Sequence, residues 1–183
     1  MLILTTKLNR SFSILIVLTS CACRALAEEL KFEKQENEKI AKVINFEMMQ
    51  SGLALYVRLN SGRVFSLGCG WGLFPEKGID VSKAQFHIGY LKTMEQPIMK
   101  DFRPAEMRDI LVLLEDYVRS ITHDKNKDEI THLAHLAESW IRSDYKNKEE
   151  AAEATNLPSE KLQLFFTVVY LRLLSEKIRL TDK

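Results

Sequence analysis

Several features that would identify a protein class are missing from this 183-residue sequence. The apolar runs Phe12–Leu18 and Leu162–Leu174 are too short or too interrupted for the roughly 20 residues of a membrane-spanning helix. There is no internal repeat, no C-x-x-C pair and no signature block of a thiol oxidoreductase. The glycine-rich stretch Gly68–Gly72 lacks the lysine and the spacing of a phosphate-binding P-loop. The sequence therefore argues against membrane-spanning, dithiol redox and P-loop proteins.

Aspartate and glutamate are absent from residues 1–27, although the chain contains 25 of them. Lys7 and Arg10 precede the apolar run Phe12–Leu18, and small residues follow it, which is the three-part pattern of a secretory signal peptide. The motif ALA at 25–27 fits the shallow pockets of a signal peptidase, so cleavage between Ala27 and Glu28 is expected. The sequence thus predicts an exported bacterial protein of the periplasm.

A second cleavage site lies in the same segment. The motif LTSC at 18–21 resembles a bacterial lipobox, which would restrict the signal to 1–20 and leave an acylated Cys21 as the first residue, anchored in the cell envelope by lipid. This processing would retain Cys23, which could then form a disulfide with Cys69. Cleavage after Ala27 would instead leave Cys69 as the cysteine of the mature chain. The sequence is compatible with both cleavage sites.

The charge balance disfavours nucleic-acid binding. Removal of residues 1–27 leaves 156 residues with 23 basic and 25 acidic side chains, a formal charge of −2, whereas phosphate binding needs a concentrated positive face. The segment Asn147–Phe166 resembles a helix-turn-helix, but its acidic residues would repel phosphate and its second helix is too apolar to face a groove. DNA binding stays a remote alternative that requires the N-terminus not to be a signal.

In the first half of the mature chain, the spacing of the apolar residues changes from that of a helix to that of a strand. Residues 28–35 form a charged lead, and residues 36–183 are long enough for a single compact domain. Ile40, Val43, Ile44 and Met48 recur at three- and four-residue spacings, which predicts a helix over 36–50. Residues 53–67 alternate with a period of two around the turn NSG at 60–62, which predicts a β-hairpin. A short helix is predicted over 81–94.

The second half is predicted to be helical. Pro104 suits the first turn of a helix whose apolar stripe continues to Ile121. Further helices are predicted over 127–143, 148–154 and 159–179, the last capped by Ser159. That last helix is apolar nearly all round, so it should be central. The predicted fold class is α+β, mainly α: a helical bundle around a central apolar C-terminal helix with one β-hairpin packed on it.

Cys69, in the stretch SLGCGWGLF, is the candidate nucleophile. Activation would require a base that lowers the pKa of its thiol, and His87 is the nearest histidine in the sequence. No signature block of a cysteine protease surrounds it. We expect a buried and inert cysteine, with a disulfide or catalysis as the alternatives.

His132 and His135, followed by Glu138, resemble metal ligands at helical spacing. A helical-wheel count places both histidines opposite the apolar stripe of Leu133 and Ala137, and therefore on the solvent side. A metal site needs three or four preorganised ligands, so we expect neither a metal nor a cofactor here.

These observations favour a small exported envelope protein that acts as a non-enzymatic binding module. It would be an accessory of an envelope or secretion assembly, or an inhibitor or immunity protein. The expected partner is another protein, with no nucleic acid and no transmembrane helix in the mature chain. The alternative is a periplasmic thiol-dependent enzyme that uses Cys69.

Overall fold

The computed structural model describes residues 32, 34–49, 51–72, 78–91, 98–122, 127–142 and 157–183. The chain divides into the units Met1–Glu33 and Lys34–Lys183. Phe32 is the described residue of the first unit, and the fold below is that of the second. Both predicted cleavage sites, with Cys21, Cys23, Ala27 and Glu28, lie outside the described residues, as does the predicted helix over 148–154.

The fold is built on a five-stranded antiparallel sheet whose strands are neighbours in chain order. These strands are β1 (Ile40–Met49), β2 (Gly52–Leu59), β3 (Val64–Gly70), β4 (Gln85–Tyr90) and β5 (Ile98–Asp101). The described helices follow the sheet along the chain: α1 (Pro104–Thr122), α2 (Lys127–Arg142) and α3 (Ser159–Thr181). The predicted helical bundle with a single hairpin is therefore wrong, because the sheet dominates the arrangement.

Strand β1 replaces the helix predicted over 36–50. Its register against β2 shifts twice, between Ile40 and Lys42 and between Val43 and Asn45. A β-bulge adds one residue to a strand, so the inward-pointing residues fall three apart, at Ile40, Val43 and Phe46, instead of two apart. A three-residue spacing is also that of one helix face, which explains the error.

The helix predicted over 81–94 is also wrong. Residues 81–83 form a turn, and β4 follows. In β4 the buried Phe86 and Ile88 alternate with the more exposed Gln85 and His87, which is the period of a strand. The alternation covers only Gln85–Ile88, because Gly89 is buried directly after Ile88, and so short a stretch does not separate a strand from a helix by pattern.

The predicted hairpin is present as β2 and β3. Gly62 adopts a φ of +85° in its turn, and the Leu59 amide donates to the Arg63 carbonyl at 2.9 Å. The helices predicted over 104–121, 127–143 and 159–179 correspond to α1, α2 and α3. Ser159 is not the N-cap of α3: Pro158 holds that position, and no side-chain hydrogen bond caps the helix.

The inner face of the sheet carries the core. Its side chains in β2, β3 and β4 are buried: Leu53, Leu55, Val57, Leu59, Phe65, Leu67, Cys69, Phe86 and Ile88. Helix α3 lies on this face, since the Phe166 ring packs 4.8 Å from that of Phe46 and the Tyr170 hydroxyl donates to the Gly68 carbonyl at 3.4 Å. Helices α1 and α2 both pack against α3. The result is a layer of helices on one face of an antiparallel sheet.

The second bulge of β1 is held by side chains from the helices. The Val43 amide donates to the Tyr117 hydroxyl at 3.4 Å, and the Gln163 side-chain amide donates to the Val43 carbonyl at 2.9 Å. The extra residue of this bulge is Ile44, directly after Val43, and a buried peptide group without a partner is costly. Tyr117 of α1 and Gln163 of α3 therefore fix both the bulge and the position of the helices on β1.

A buried carboxylate anchors the start of α1. Glu106 is 1% exposed and accepts from the Lys100 ammonium at 2.7 Å, the Arg103 guanidinium at 2.7 Å and the Arg103 amide at 3.0 Å. Burial alone would raise its pKa, but the bonds from Arg103 and Lys100 outweigh burial and lower the pKa to about 2. Glu106 thus ties β5 to the first turn of α1. Within the described residues, no helix combines the length and apolarity needed to cross a membrane.

Candidate functional site

The outer face of the sheet, opposite α1, α2 and α3, carries mostly polar and small side chains. Residues that alternate with the buried ones point to it. The strand register places these residues on it: Lys42, Asn45, Glu47, Ala54, Tyr56, Arg58, Ser66, Gly68, Gln85, His87, Gly89, Met99 and Asp101. Its exposed members include both acids and bases, so the outer face is an accessible surface of mixed charge.

One row of residues crosses all five strands of this face. Glu47, Ala54, Gly68, His87 and Asp101 are successive cross-strand neighbours. The His87 Nδ1 lies 2.9 Å from the Asp101 Oδ1, and the Asp101 side chain is 88% exposed. A contact this exposed contributes little to stability, but it fixes the orientation of the imidazole ring.

The adjacent row contains a chain of hydroxyl groups. Tyr56 forms side-chain hydrogen bonds with both Glu47 and Ser66. Partial burial raises the pKa of Tyr56, and the charge of Glu47 and its hydrogen bond raise it further. Tyr56 therefore stays a neutral hydrogen-bonding group that positions Glu47 at the edge of the face.

Ser66, His87 and Asp101 are residue types of a hydrolytic triad and lie on one face, but they do not form one. Ser66 is 2% exposed and its hydroxyl is bonded to Tyr56. The Met99 methyl group lies over Gly68, 3.3 Å from where a Cβ would stand, so it covers the backbone beside Ser66. Ser66 is thus buried and makes its hydrogen bond to Tyr56, whereas a nucleophilic serine would need a hydrogen bond to the His87 imidazole.

Cys69 lies on the inner face of the sheet. It pairs across strands with Leu53 and Phe86, is 2% exposed and forms no disulfide. Burial raises the pKa of its thiol to about 12, although the charge of Lys177 lowers it slightly. His87 pairs with Gly68 and therefore points to the opposite face. The structure does not bring Cys69 together with the histidine considered as its base.

His132 and His135 are exposed on α2, while Leu133 and Ala137 are buried. The His135 Nδ1 lies 3.3 Å from the Ser139 hydroxyl on the same helix. Across the residues that the structure describes, no group of three or more His, Cys, Asp and Glu side chains is placed to hold a metal ion. These histidines form part of a solvent-facing helix surface.

The charges of the outer face are separated along the strands. Lys42 and Arg58 pair across strands near the β2–β3 turn, whereas Glu47 and Asp101 belong to the row nearer the opposite end. The face therefore has a basic end and an acidic end. Such a pattern favours partners with the reverse order of charges and aligns them during encounter.

The sequence alone did not reveal this site. From its place in the sequence, three residues before Pro104, Asp101 indicates only a negative charge near the start of a helix, and His87 suggests only a base for Cys69. Their contact depends on the pairing of β4 with β5, which the pattern did not predict. The one available signal is the alternation of polar residues with Phe86 and Ile88 in β4. That alternation places Gln85 and His87 on one face.

Comparisons with known proteins give no relative. No family model, no curated protein and no solved structure matches this chain. Function must therefore be argued from the geometry of the chain itself.

Proposed function

We propose that this chain is a small exported envelope protein that acts as a non-enzymatic binding module and contacts another protein through the outer face of its sheet. The single observation that carries the binding site is the separation of charge on that face, with Lys42 and Arg58 at one end and Glu47 and Asp101 at the other. Export is supported by the acid-free, apolar segment at residues 1–27.

The partner that fits is a protein surface with acidic groups opposite Arg58 and basic groups opposite Glu47. Charged groups at the rim of an interface mainly set the rate and the orientation of association. The middle of the row, at Ala54 and Gly68, is buried, so we expect the partner to contact the exposed charged side chains at the two ends of the face. An accessory of an envelope assembly and an inhibitor or immunity protein both work by such contacts.

Site-specific photocrosslinking in cells tests this proposal. The crosslinking residue replaces the neutral, exposed Asn45 or Gln85, which leaves the charges of the outer face intact, and the control position is the exposed Ser120 of α1. We expect a crosslinked species of one defined mass from Asn45 and Gln85 and none from Ser120.

Charge reversal then decides whether the crosslink reports recognition. Arg58→Glu or Glu47→Lys should abolish the crosslinked species. The variant with both changes should not restore it, because the charges of the native partner are unchanged. The matched control is Arg119→Glu, because Arg119 is exposed on α1 and pairs with Asp116 at 3.5 Å. Crosslinks that survive both reversals, or that form equally from Ser120, would contradict the proposal.

A further inference from the structure

A cleft of about 630 Å³ lies between α2, α3 and the loop at 78–81. Its apolar part consists of the half-buried Ile141 and of Ile79, Val81 and Leu173, which are buried. Its polar part consists of Ser175 with two acidic and three basic side chains: Glu138, Glu176, Arg142, Arg172 and Arg179. Its volume falls within the range of clefts that hold small organic molecules.

Two of the three arginines that line this cleft are neutralised internally. Arg142 contacts Glu138 at 2.5 Å, and Arg179 contacts Glu176 at 2.5 Å. Arg172 is exposed, and among the described residues no hydrogen bond or ion pair engages it. The cleft therefore has one excess positive charge and one guanidinium free to bind a ligand.

The wall of the cleft is fixed before any ligand binds. The Ile79 amide donates to the Ile141 carbonyl at 2.9 Å, which ties the loop to the last turn of α2. Gly78 has a φ of +89°, and a Cβ at this position would stand 2.3 Å from the Arg142 carbonyl oxygen. A preformed wall lowers the cost of ordering on binding.

We propose that this cleft binds an amphiphilic monocarboxylate. The planar guanidinium of Arg172 matches a carboxylate through two parallel N–H···O bonds. The aliphatic part of the ligand lies on the half-buried Ile141 and on the exposed edges of Ile79 and Val81. One excess positive charge selects one negative charge, since a second anionic group would meet Glu138 or Glu176. This site is separate from the outer face and does not depend on the function proposed for that face.

Titration of the purified exported protein with octanoate, below its micelle concentration, tests this site. Isothermal calorimetry should give saturable binding, and methyl NMR should show shifts at Ile79, Val81 and Ile141. Arg172→Gln should weaken binding by about tenfold or more, as expected for a lost charged hydrogen bond. Octyltrimethylammonium, which has the same chain and the opposite charge, should not bind.

The matched control is Arg119→Gln, which removes one positive charge from an exposed site on α1 and should leave octanoate affinity unchanged. Arg172→Lys keeps the charge without the planar fork, so its affinity should be intermediate. Absence of saturable octanoate binding to the unaltered protein would overturn the proposal. Equal affinity in the folded Arg172→Gln variant, or equal binding of octyltrimethylammonium, would overturn it as well.

Discussion

Cys69 is a residue whose chemistry is set by its position on the inner face. Its thiol is 2% exposed, and burial raises its pKa to about 12. At pH 8 the folded protein therefore contains about three orders of magnitude less thiolate than an ordinary cysteine of pKa near 9, and thiolate is the species that reacts. We predict very slow alkylation of native Cys69 and rapid alkylation after denaturation.

This prediction is measured with iodoacetamide on a chain in which Cys21 and Cys23 are serine, so that Cys69 is its remaining cysteine. Raising the pH from 7 to 9 should leave native labelling slow, since both values lie well below the raised pKa. Fast labelling of the folded protein, or complete loss of its function in Cys69→Ala at retained stability, would indicate a reactive thiol instead.

Glu106 makes stability depend on pH in a defined direction. Its pKa is about 2 in the folded protein against 4.5 for an unperturbed glutamate, so its contribution is complete above pH 4.5 and is lost as the pH falls towards 2. Glu106→Gln should lower the free energy of unfolding by about 2–3 kcal/mol at neutral pH. The deficit should shrink by half or more at pH 3, as measured by urea unfolding.

Glu115 provides the control for that measurement, because it is an exposed glutamate of the same helix. Glu115→Gln should change the free energy of unfolding by less than about 0.5 kcal/mol at either pH. A deficit in Glu106→Gln that is equal at pH 7 and pH 3 would mean that shape, rather than charge, makes Glu106 important.

At the scale of elements, the contact between the loop at 78–81 and α2 depends on glycine. Gly78 and Gly62 both have φ near +90°, at +89° and +85°, but only Gly78 has backbone where a Cβ would stand. Gly62→Ala should cost about 1 kcal/mol of stability through backbone strain alone. Gly78→Ala should cost about 2 kcal/mol more, because the loop must move off the Arg142 carbonyl. Thermal unfolding of both variants separates the two effects.

Sequence patterns predicted those elements whose residues obey one simple period. The β2–β3 hairpin alternates strictly around a glycine turn, and α1 follows a proline with a continuous apolar stripe. Strand β1 was not predicted as a strand, because its two bulges impose a helix-like spacing on Ile40, Val43 and Phe46. Its stabilising partners, Tyr117 and Gln163, lie 74 and 120 residues away, beyond the reach of local pattern.

At the scale of the whole molecule, the location of the protein is tested by its mass. Cleavage after Ala27 predicts a mature chain that begins at Glu28, and lipidation would give a chain that begins at acylated Cys21. Intact-mass spectrometry with N-terminal sequencing of the protein from cells distinguishes the two directly. A chain that retains Met1 in the cytoplasm would contradict export.

The helices cover one face of the sheet and leave the outer face open, and the sequence predicted only the covered side of this arrangement. The strongly apolar α3 was expected to be surrounded, and its buried residues do contact the sheet and both other described helices. The outer face could not be anticipated, because His87 and Asp101 become neighbours only when β4 and β5 pair. Long-range register, rather than residue type, creates that surface.

The bulged course of β1 also has a consequence for self-association. An edge strand with free peptide groups is a template for intermolecular β-sheet growth, and natural proteins interrupt such edges with bulges. In β1 the Val43 peptide is already occupied by Tyr117 and Gln163, and the opposite edge, β5, offers only four residues. Both margins of the sheet are thus poor seeds for fibrils.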